Sequence, residues 1–387
     1  MTDPRNIRVA VIGTGFIGTV HVEAARRAGA EVVGLLGSTP EKSAHSARQL
    51  GVPRGYGSLE ELVGDPQVDV VHVTSPNYLH FPQALAAVEA GKHVICEKPL
   101  GLDSQEGRQL VDAARAAAVV NATCFNIRFY PVLHEAHELV RRGSLGEIRF
   151  ITGSYHQDWL MRATDWNWRL DSPKGGELRA VADIGSHWLD LLGWIGESRV
   201  SEVFADLHTF VPVRHRPVGE VQTFGAVDAG ETVEVEINND DAAGILLRFE
   251  NGARGALTVS QVSAGRKNDL GFELTGSENS LMWQSSVPDR LWMGHRGPAN
   301  SEILRDPSHL SEVAAAVTFY PGGHVEGFGE TFRGLFERVY AAADRGAPAA
   351  DDGFPTFQDG LNALCITDAI KRSAERQSWQ AVMREES

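Results

Sequence analysis

Cysteine is scarce in this chain. The 387 residues carry three, Cys96, Cys124 and Cys365, and no two stand in a CxxC spacing. That pattern excludes a disulfide scaffold and the usual zinc modules, and reads as reduced structural thiols in a cytoplasmic protein. The N-terminal stretch "MTDPRNIRVAVIG" lacks the apolar run of a signal peptide, and no segment is apolar enough to span a bilayer, so a membrane role is not expected. Basic surplus is also missing. Lys plus Arg is 36 against 51 for Asp plus Glu, a net charge of −15, so the molecule as a whole repels nucleic acid and anionic lipid. Internal repeats, low-complexity tracts and long charge runs are absent too.

What is present suits a globular protein of two domains. The chain is too long for one ordinary core, with 42% hydrophobic and 22% charged residues. The first third alternates strand and helix. "IRVAVIG", "EVVGLLG", "VDVVHVTSP", "KHVICE" and "VVNATCFN" are short apolar runs. Helical patterns separate them at 16–28, in "TPEKSAHSARQLG", from Asn77 to Ala90, and in "SQEGRQLVDAARAAA". Strands apolar throughout, divided by helices, predict a doubly wound parallel sheet over residues 1–125. From about Glu147 the pattern changes to strands in succession: "EIRFITGSYH", "VSEVFADLHTF", residues 231–240, "AAGILLRFEN", "GARGALTVSQV" and "LGFELTGSENSLMW". Turn residues such as Asn251-Gly252 divide them. Helices at 329–344 and 357–374 close the chain. Residues 126–387 are therefore expected to form an α/β domain on a large, mostly antiparallel open sheet. An open sheet must be covered, which predicts a homodimer or homotetramer paired through it.

Two stretches carry chemistry. "GTGFIG" (Gly13, Gly15, Phe16, Ile17, Gly18) follows the first strand and opens a helix, the arrangement in which a pyrophosphate approaches a helix N-terminus. The tip of the second strand, where an acid usually holds the ribose of NAD, offers Gly37, Ser38 and Thr39, with Lys42 beyond. Those residues tolerate a 2′-phosphate but include no arginine to clamp one, so NAD and NADP both remain open. In "GKHVICEKPLG" a buried-looking strand runs into Glu97, Lys98 and Pro99. Proline restricts Lys98 to an extended conformation, aiming the ammonium from the carboxyl end of a strand, where open α/β sheets bind ligands. Oxidising an alcohol needs a base for the proton and positive charge near the developing alkoxide; Lys98 supplies the charge.

Downstream, "VADIGSHWLDLLGWIG" sets Asp183 and His187 four residues apart, on one face of a helix. His187 is the natural proton acceptor. Asp183 reads as an orienting group for substrate or imidazole, or equally as a helix N-cap. Asn126 and Arg128 follow the fifth strand as candidates to enter the cleft. "YHQDWLMRATDWNWRLD" mixes three tryptophans, Trp168 among them, with His156, Arg162, Asp165 and Arg169; it reads either as a carbohydrate pocket or as packing against the sheet. His324 and Glu326 in "GGHVEGFGE" are further candidates for the same cleft. "HEAHE" (134–138) has the wrong spacing for a zinc peptidase and reads as an exposed helix face, so no metal is expected.

Taken together and in order, "AVIGTGFIG", "VDVVHVTSPNYLH", "GKHVICEKPLG", "GSLGEIRFI" and "DIGSHWLDLL" resemble the Gfo/Idh/MocA oxidoreductases over nearly the whole chain. The resemblance implies that Lys98, Asp183 and His187 fill the catalytic positions, with His187 as proton acceptor. It also places Ser75, Asn77, His80 and Glu97 along the cofactor. The implied function is NAD(P)-dependent transfer of a hydride between nicotinamide and a secondary hydroxyl or ketone of a sugar, inositol or sugar derivative. A glycosidase or lyase that uses NAD transiently, and a non-catalytic dinucleotide sensor, are the alternatives.

Overall fold

The computed structural model describes residues 7–218, 231–349 and 353–384. The chain divides into two units. One holds the chain up to Asn126 together with Gly329–Leu364; the other holds Ile127–Phe328 and the chain from Cys365 onward. This differs from a single cut at 125/126, because a late segment returns to the first unit. Its apolar side chains explain the return. Phe332 and Phe336 pack edge-on against His21, and Phe357 and Leu364 join the core beside Cys96 and Leu110.

In the first unit the elements run β1 (Arg8–Ile12), α1 (Phe16–Arg27), β2 (Glu31–Leu36), α2 (Pro40–Leu50), β3 (Arg54–Gly55), α3 (Leu59–Val63), β4 (Val70–Val73), α4 (His80–Glu89), β5 (His93–Cys96), α5 (Ser104–Ala117) and β6 (Asn121–Thr123). Among the described residues the sheet has six strands in the order β3-β2-β1-β4-β5-β6, all parallel. The two-residue β3 is too short to leave a sequence pattern. Local chemistry starts the helices where the sequence says it should. The side chains of Thr39, Ser58 and Asp103 each accept a backbone N–H of the helix that follows. The order reverses between β1 and β4, so the ligand crevice of such a sheet opens at Gly13 and Thr74.

The second unit begins with α6 (Pro131–Arg141), β7 (Ile148–His156) and a short helix α7 (Ser172–Gly175). A π-turn at Val181–Gly185 then leads into α8 (Ser186–Ile195). The strands follow: β8 (Val200–His208), β9 (Val213–Pro217), β10 (Thr232–Glu236), β11 (Ala242–Phe249), β12 (Arg254–Ser260), β13 (Asp269–Gly276), β14 (Asn279–Gln284), β15 (Arg290–His295) and β16 (Ser301–Leu304). This unit also holds α9 (Glu312–Ala315), the last part of α11 (Phe357–Arg376) and β17 (Gln380–Ala381), while α10 (Phe328–Arg345) and the start of α11 belong to the first unit. Nine described strands form one sheet, β16-β15-β14-β13-β7-β12-β11-β8-β17, antiparallel except where β7 meets β12. Strand alternation divides it into two faces. Tyr155, Ile245, Leu247, Leu257, Val259, Leu274 and Leu281 are buried, whereas Phe150, Leu246 and Met282 are exposed.

Helix α8 lies on the buried face, and Trp188 sets its distance. The indole Nε1 donates to the Gly271 carbonyl at 3.1 Å. Gly153 on β7 makes room: a Cβ there would stand 2.2 Å from the Gly271 oxygen and 2.6 Å from Trp188 Nε1. Gly153→Ala is therefore expected to destabilise the protein by about 1–3 kcal/mol through overpacking. Chemical denaturation followed by tryptophan fluorescence checks this, and an unchanged midpoint contradicts it.

Candidate active site

At the sheet-order reversal the three motif glycines serve different needs. Gly13 has a φ of +102°, and a Cβ on it would meet Thr74 Oγ1 at 2.6 Å. A Cβ on Gly18 would stand 2.1 Å from the Gly13 oxygen. The chain's own packing requires both. Gly15, at the N-terminus of α1, has nothing within 4 Å of such a Cβ, so its missing side chain leaves space outside the protein. An open helix N-terminus with that space fits a dinucleotide pyrophosphate. Phe16 beside it is 50% exposed, and Ile17 is half-buried. At the β2 tip Ser38 is exposed and Lys42 is half-buried, its backbone N–H bonded to Thr39 Oγ1. Beyond β4, Ser75 Oγ donates to Gln83 and Asn77 is buried.

Glu97 and Lys98 follow directly on β5. Glu97 is buried and Lys98 half-buried. The Glu97 carboxylate folds back so that Oε2 accepts the Lys98 backbone N–H at 3.1 Å, while Oε1 lies 3.1 Å from His21 Nε2. His80 ties the far side of the loop: its ring nitrogens lie 2.7 Å from the carbonyls of Pro99 and Ser75. Burial pulls His80 below the ordinary histidine range, against the raising effect of those two carbonyls. The peptide on either side of Lys98 is thus held by side chains. Asn126, at the end of this unit's first segment, is buried with its Nδ2 on Thr331 Oγ1 at 2.7 Å.

In the second unit a buried charge cluster sets the π-turn. Asp240 accepts the backbone N–H of Arg179 at 2.6 Å and of Val181 at 2.9 Å. Burial pushes Asp240 up to about 6, and those two N–H groups oppose the rise. Arg179 and Arg214 both bond Asp241, and all three are fully buried. On the turn so fixed, Asp183 accepts from Arg169 Nε at 3.1 Å on one oxygen and from Gln261 Nε2 at 2.8 Å on the other. Arg169 also lies over the Trp168 ring, 4.4 Å from its centroid. One turn on, His187 is 7% exposed on a helix otherwise apolar or committed to packing, with Tyr155 at a ring distance of 6.4 Å. π-turns recur at functional sites.

The remaining candidates are dispersed within this unit. Arg128 forks onto Asp190 of α8, with Nε–Oδ2 at 2.8 Å and Nη2–Oδ1 at 2.5 Å. His156 belongs to the opposite face of the sheet from Tyr155 and shares a 3.1 Å contact with Thr258 Oγ1. Trp159 and Trp166 pack with Leu160, Leu170 and Ile237. His324 is exposed, in a loop folded about the buried Arg305–Glu326 pair. "HEAHE" is not an exposed face: His134, Glu135 and Glu138 are buried, with His134 and His137 against the Trp194 ring. Neither Arg169 nor Gln261 was paired with Asp183 from the sequence. Arg169 stood within the aromatic stretch, but nothing local marks Gln261.

A profile of the oxidoreductase family with the NAD-binding Rossmann fold, Gfo/Idh/MocA, matches residues 7–124, and the profile of that family's C-terminal domain matches 133–282. The chain belongs to the Gfo/Idh/MocA family. Levoglucosan dehydrogenase of Pseudarthrobacter phenanthrenivorans is 30% identical across 97% of this chain and 98% of its own. A structure of levoglucosan dehydrogenase in complex with NADH and L-sorbose superposes with a TM-score of 0.89 at 28% identity, covering 98% of this chain and 99% of that one. An inositol dehydrogenase homologue from Azotobacter vinelandii, in complex with NADH and myo-inositol, gives 0.83 at 25% identity over 98% of both chains. Like its relatives in this family, the chain is an NAD(P)-dependent oxidoreductase. Among the described residues no helix is long and apolar enough to cross a membrane.

The glycine geometry separates fold from ligand. Gly15→Val is expected to keep the thermal midpoint and weaken NADH binding by about tenfold or more, whereas Gly18→Val is expected to unfold the first unit. Calorimetric titration and thermal melts of both variants check the difference; equal loss of stability in the two contradicts it.

Proposed function

We propose that this Gfo/Idh/MocA enzyme oxidises a secondary hydroxyl of a cyclic sugar or polyol, and that Lys98, Asp183 and His187 carry the acid–base work. The observation that carries this reading is the π-turn: it presents a clamped carboxylate and, one turn later, a buried imidazole on an apolar helix. The nicotinamide, when bound, supplies the hydride acceptor. His187 takes the hydroxyl proton. Lys98 Nζ steadies the negative charge that develops on that oxygen. Asp183 accepts a second hydroxyl of the ring or orients His187, and Arg169 and Gln261 keep it in place. Trp168, stiffened by Arg169, offers an apolar wall to a sugar ring. Arg128 acts through Asp190 to hold α8. His324 is a further candidate for substrate contact, while His156 lies on the sheet face away from His187. Ser75, Asn77 and Asn126 line the cofactor, and His80 holds the loop behind it.

A relative named for levoglucosan, and solved relatives in complex with L-sorbose and with myo-inositol, support a cyclic polyhydroxyl substrate. The β2 tip carries no carboxylate to repel a 2′-phosphate, so NAD and NADP are tested separately. We also propose that two copies pair through the open sheet face. Leu246 is 49% exposed, Phe150 45% and Met282 40%, on a sheet too broad to leave uncovered.

The deciding assay is a panel of sugars, inositols and anhydro sugars, read as nicotinamide reduction. His187→Ala is expected to lose about 10²–10⁴-fold in kcat while binding NADH as before. Wild-type turnover by that variant rejects the proton role. Substrate consumption without net nicotinamide reduction points instead to transient NAD use. For the assembly, Leu246→Glu with Met282→Glu is expected to convert the protein to monomer by light scattering; an unchanged mass places the interface elsewhere.

A further inference from the structure

Behind the Lys98 loop four polar side chains form a buried line within the first unit. His21 and His72 are fully buried, Tyr340 is 5% exposed and Glu97 7%. Tyr340 Oη lies 3.0 Å from His72 Nε2, His72 Nδ1 lies 2.9 Å from His21 Nδ1, and His21 Nε2 lies 3.1 Å from Glu97 Oε1. Phe336 packs edge-on against both imidazoles, at 4.9 Å and 4.6 Å between ring centres, and shields the line from water.

With both rings neutral, proton counting restricts this line to two arrangements. The facing Nδ1 atoms share one proton: two would collide and none would leave lone pairs opposed. In the forward arrangement Tyr340 donates to His72 Nε2, His72 Nδ1–H donates to His21 Nδ1, and His21 Nε2–H donates to an ionised Glu97. Every donor then meets an acceptor. In the reverse arrangement Glu97 must be protonated and donate to His21. His72 then donates to Tyr340 Oη, whose own proton needs an acceptor beyond His72, the one hydrogen-bond partner that this hydroxyl has among the described residues. The Lys98 N–H on Glu97 Oε2 also favours an ionised carboxylate.

We propose that Tyr340, His72 and His21 form a one-way donor chain that keeps Glu97 ionised and, through its second oxygen, fixes the peptide N–H of Lys98. The three are positioning residues for that lysine. Burial, and then the neighbouring His21, holds His72 well below the ordinary histidine range, so its ring is neutral with a single N–H to place. The kinetic consequence rests on the role given to Lys98 above; the proton arrangement does not.

One rival occupant has ligand chemistry in place. Cys124 Sγ lies 3.8 Å from His21 Nε2, and these two atoms and a Glu97 oxygen lie within 4.8 Å of one another. A cation there would take the His21 Nε2 lone pair, move its proton to Nδ1, and impose the reverse arrangement on both rings. The two occupants thus predict opposite tautomers.

Ring-¹⁵N histidine labelling of the full chain, read by long-range ¹H–¹⁵N correlation, tests this without substrate. His72 is expected as the Nδ1–H tautomer and His21 as the Nε2–H tautomer. In Glu97→Gln the amide oxygen takes the Lys98 N–H and the NH₂ faces His21, so both tautomers are expected to invert. A wild-type His72 protonated on Nε2 overturns the proposal, as does a stoichiometric metal that leaves with Cys124→Ser. For the kinetic part, His21→Gln retains a donor to Glu97 and is expected to keep kcat within about twofold. His21→Leu, of similar bulk, is expected to lose about tenfold or more in kcat with the NADH Kd unchanged. Equal kcat in the two variants rejects the positioning role even if the tautomers are as stated; absence of turnover in the wild type refutes the proposed reaction and leaves the tautomer result standing.

Discussion

A carboxylate moved out of water must be given donors, and the end of β5 in the first unit is arranged around that demand at Glu97. One oxygen takes the backbone of Lys98 and the other faces His21. An apolar residue of similar size would leave the imidazole line without an end and the Lys98 peptide without its acceptor. Losing a partner from a buried polar group costs about 1–3 kcal/mol, more when charge is involved. The arrangement therefore fixes geometry as much as it adds stability. The late aromatic residues Phe332, Phe336 and Tyr340 belong to the same device, since they keep water from competing for the donors.

The second unit solves the same problem with charges of both signs. Arg179 and Arg214 share Asp241, and Asp240 sits beside Arg179 on the backbone of the π-turn. Two cations and two carboxylates balance, so the cluster survives burial that a lone pair would tolerate poorly. Asp241 also accepts the Val211 N–H at 2.7 Å, tying the loop between β8 and β9 to the cluster. The turn that carries Asp183 is thereby held from beneath, while Arg169 and Gln261 hold the carboxylate itself. Positioning is built in two layers, and only the outer one touches the residues that sequence reading singled out.

That layering explains what the sequence disclosed and what it withheld. The parallel sheet, its glycine turn and the strand-borne Glu97-Lys98-Pro99 segment were legible because each follows from neighbours in the chain: strand apolarity, turn residues, proline's constraint. The mostly antiparallel second sheet was legible from strand spacing. Gln261, Asp240 and the Tyr340–His72–His21 line were not, since their partners lie 51 to 268 positions away and no local period marks them. The exposed reading of "HEAHE" failed for a related reason. Polar residues on a helix suggest solvent, but α6 is covered by Trp194 and by Ser311, whose N–H finds Glu135 at 2.7 Å. The return of Gly329–Leu364 to the first unit was likewise invisible: its helix period names an apolar face but not what that face packs against.

The glycine motif shows where such reading reaches its limit. Gly13 and Gly18 are small because the protein's own atoms press on them, and Gly15 is small with nothing of the protein near it. On paper the three are equivalent letters of one pattern. In space two of them serve the turn, and the third has open space beside it. A pattern that mixes folding and binding requirements is weak evidence for a ligand until the two are separated. Here a Cβ at each position separates them: the protein's own packing requires Gly13 and Gly18 and leaves open the position at the helix N-terminus, where an anion would gain from unsatisfied backbone N–H groups.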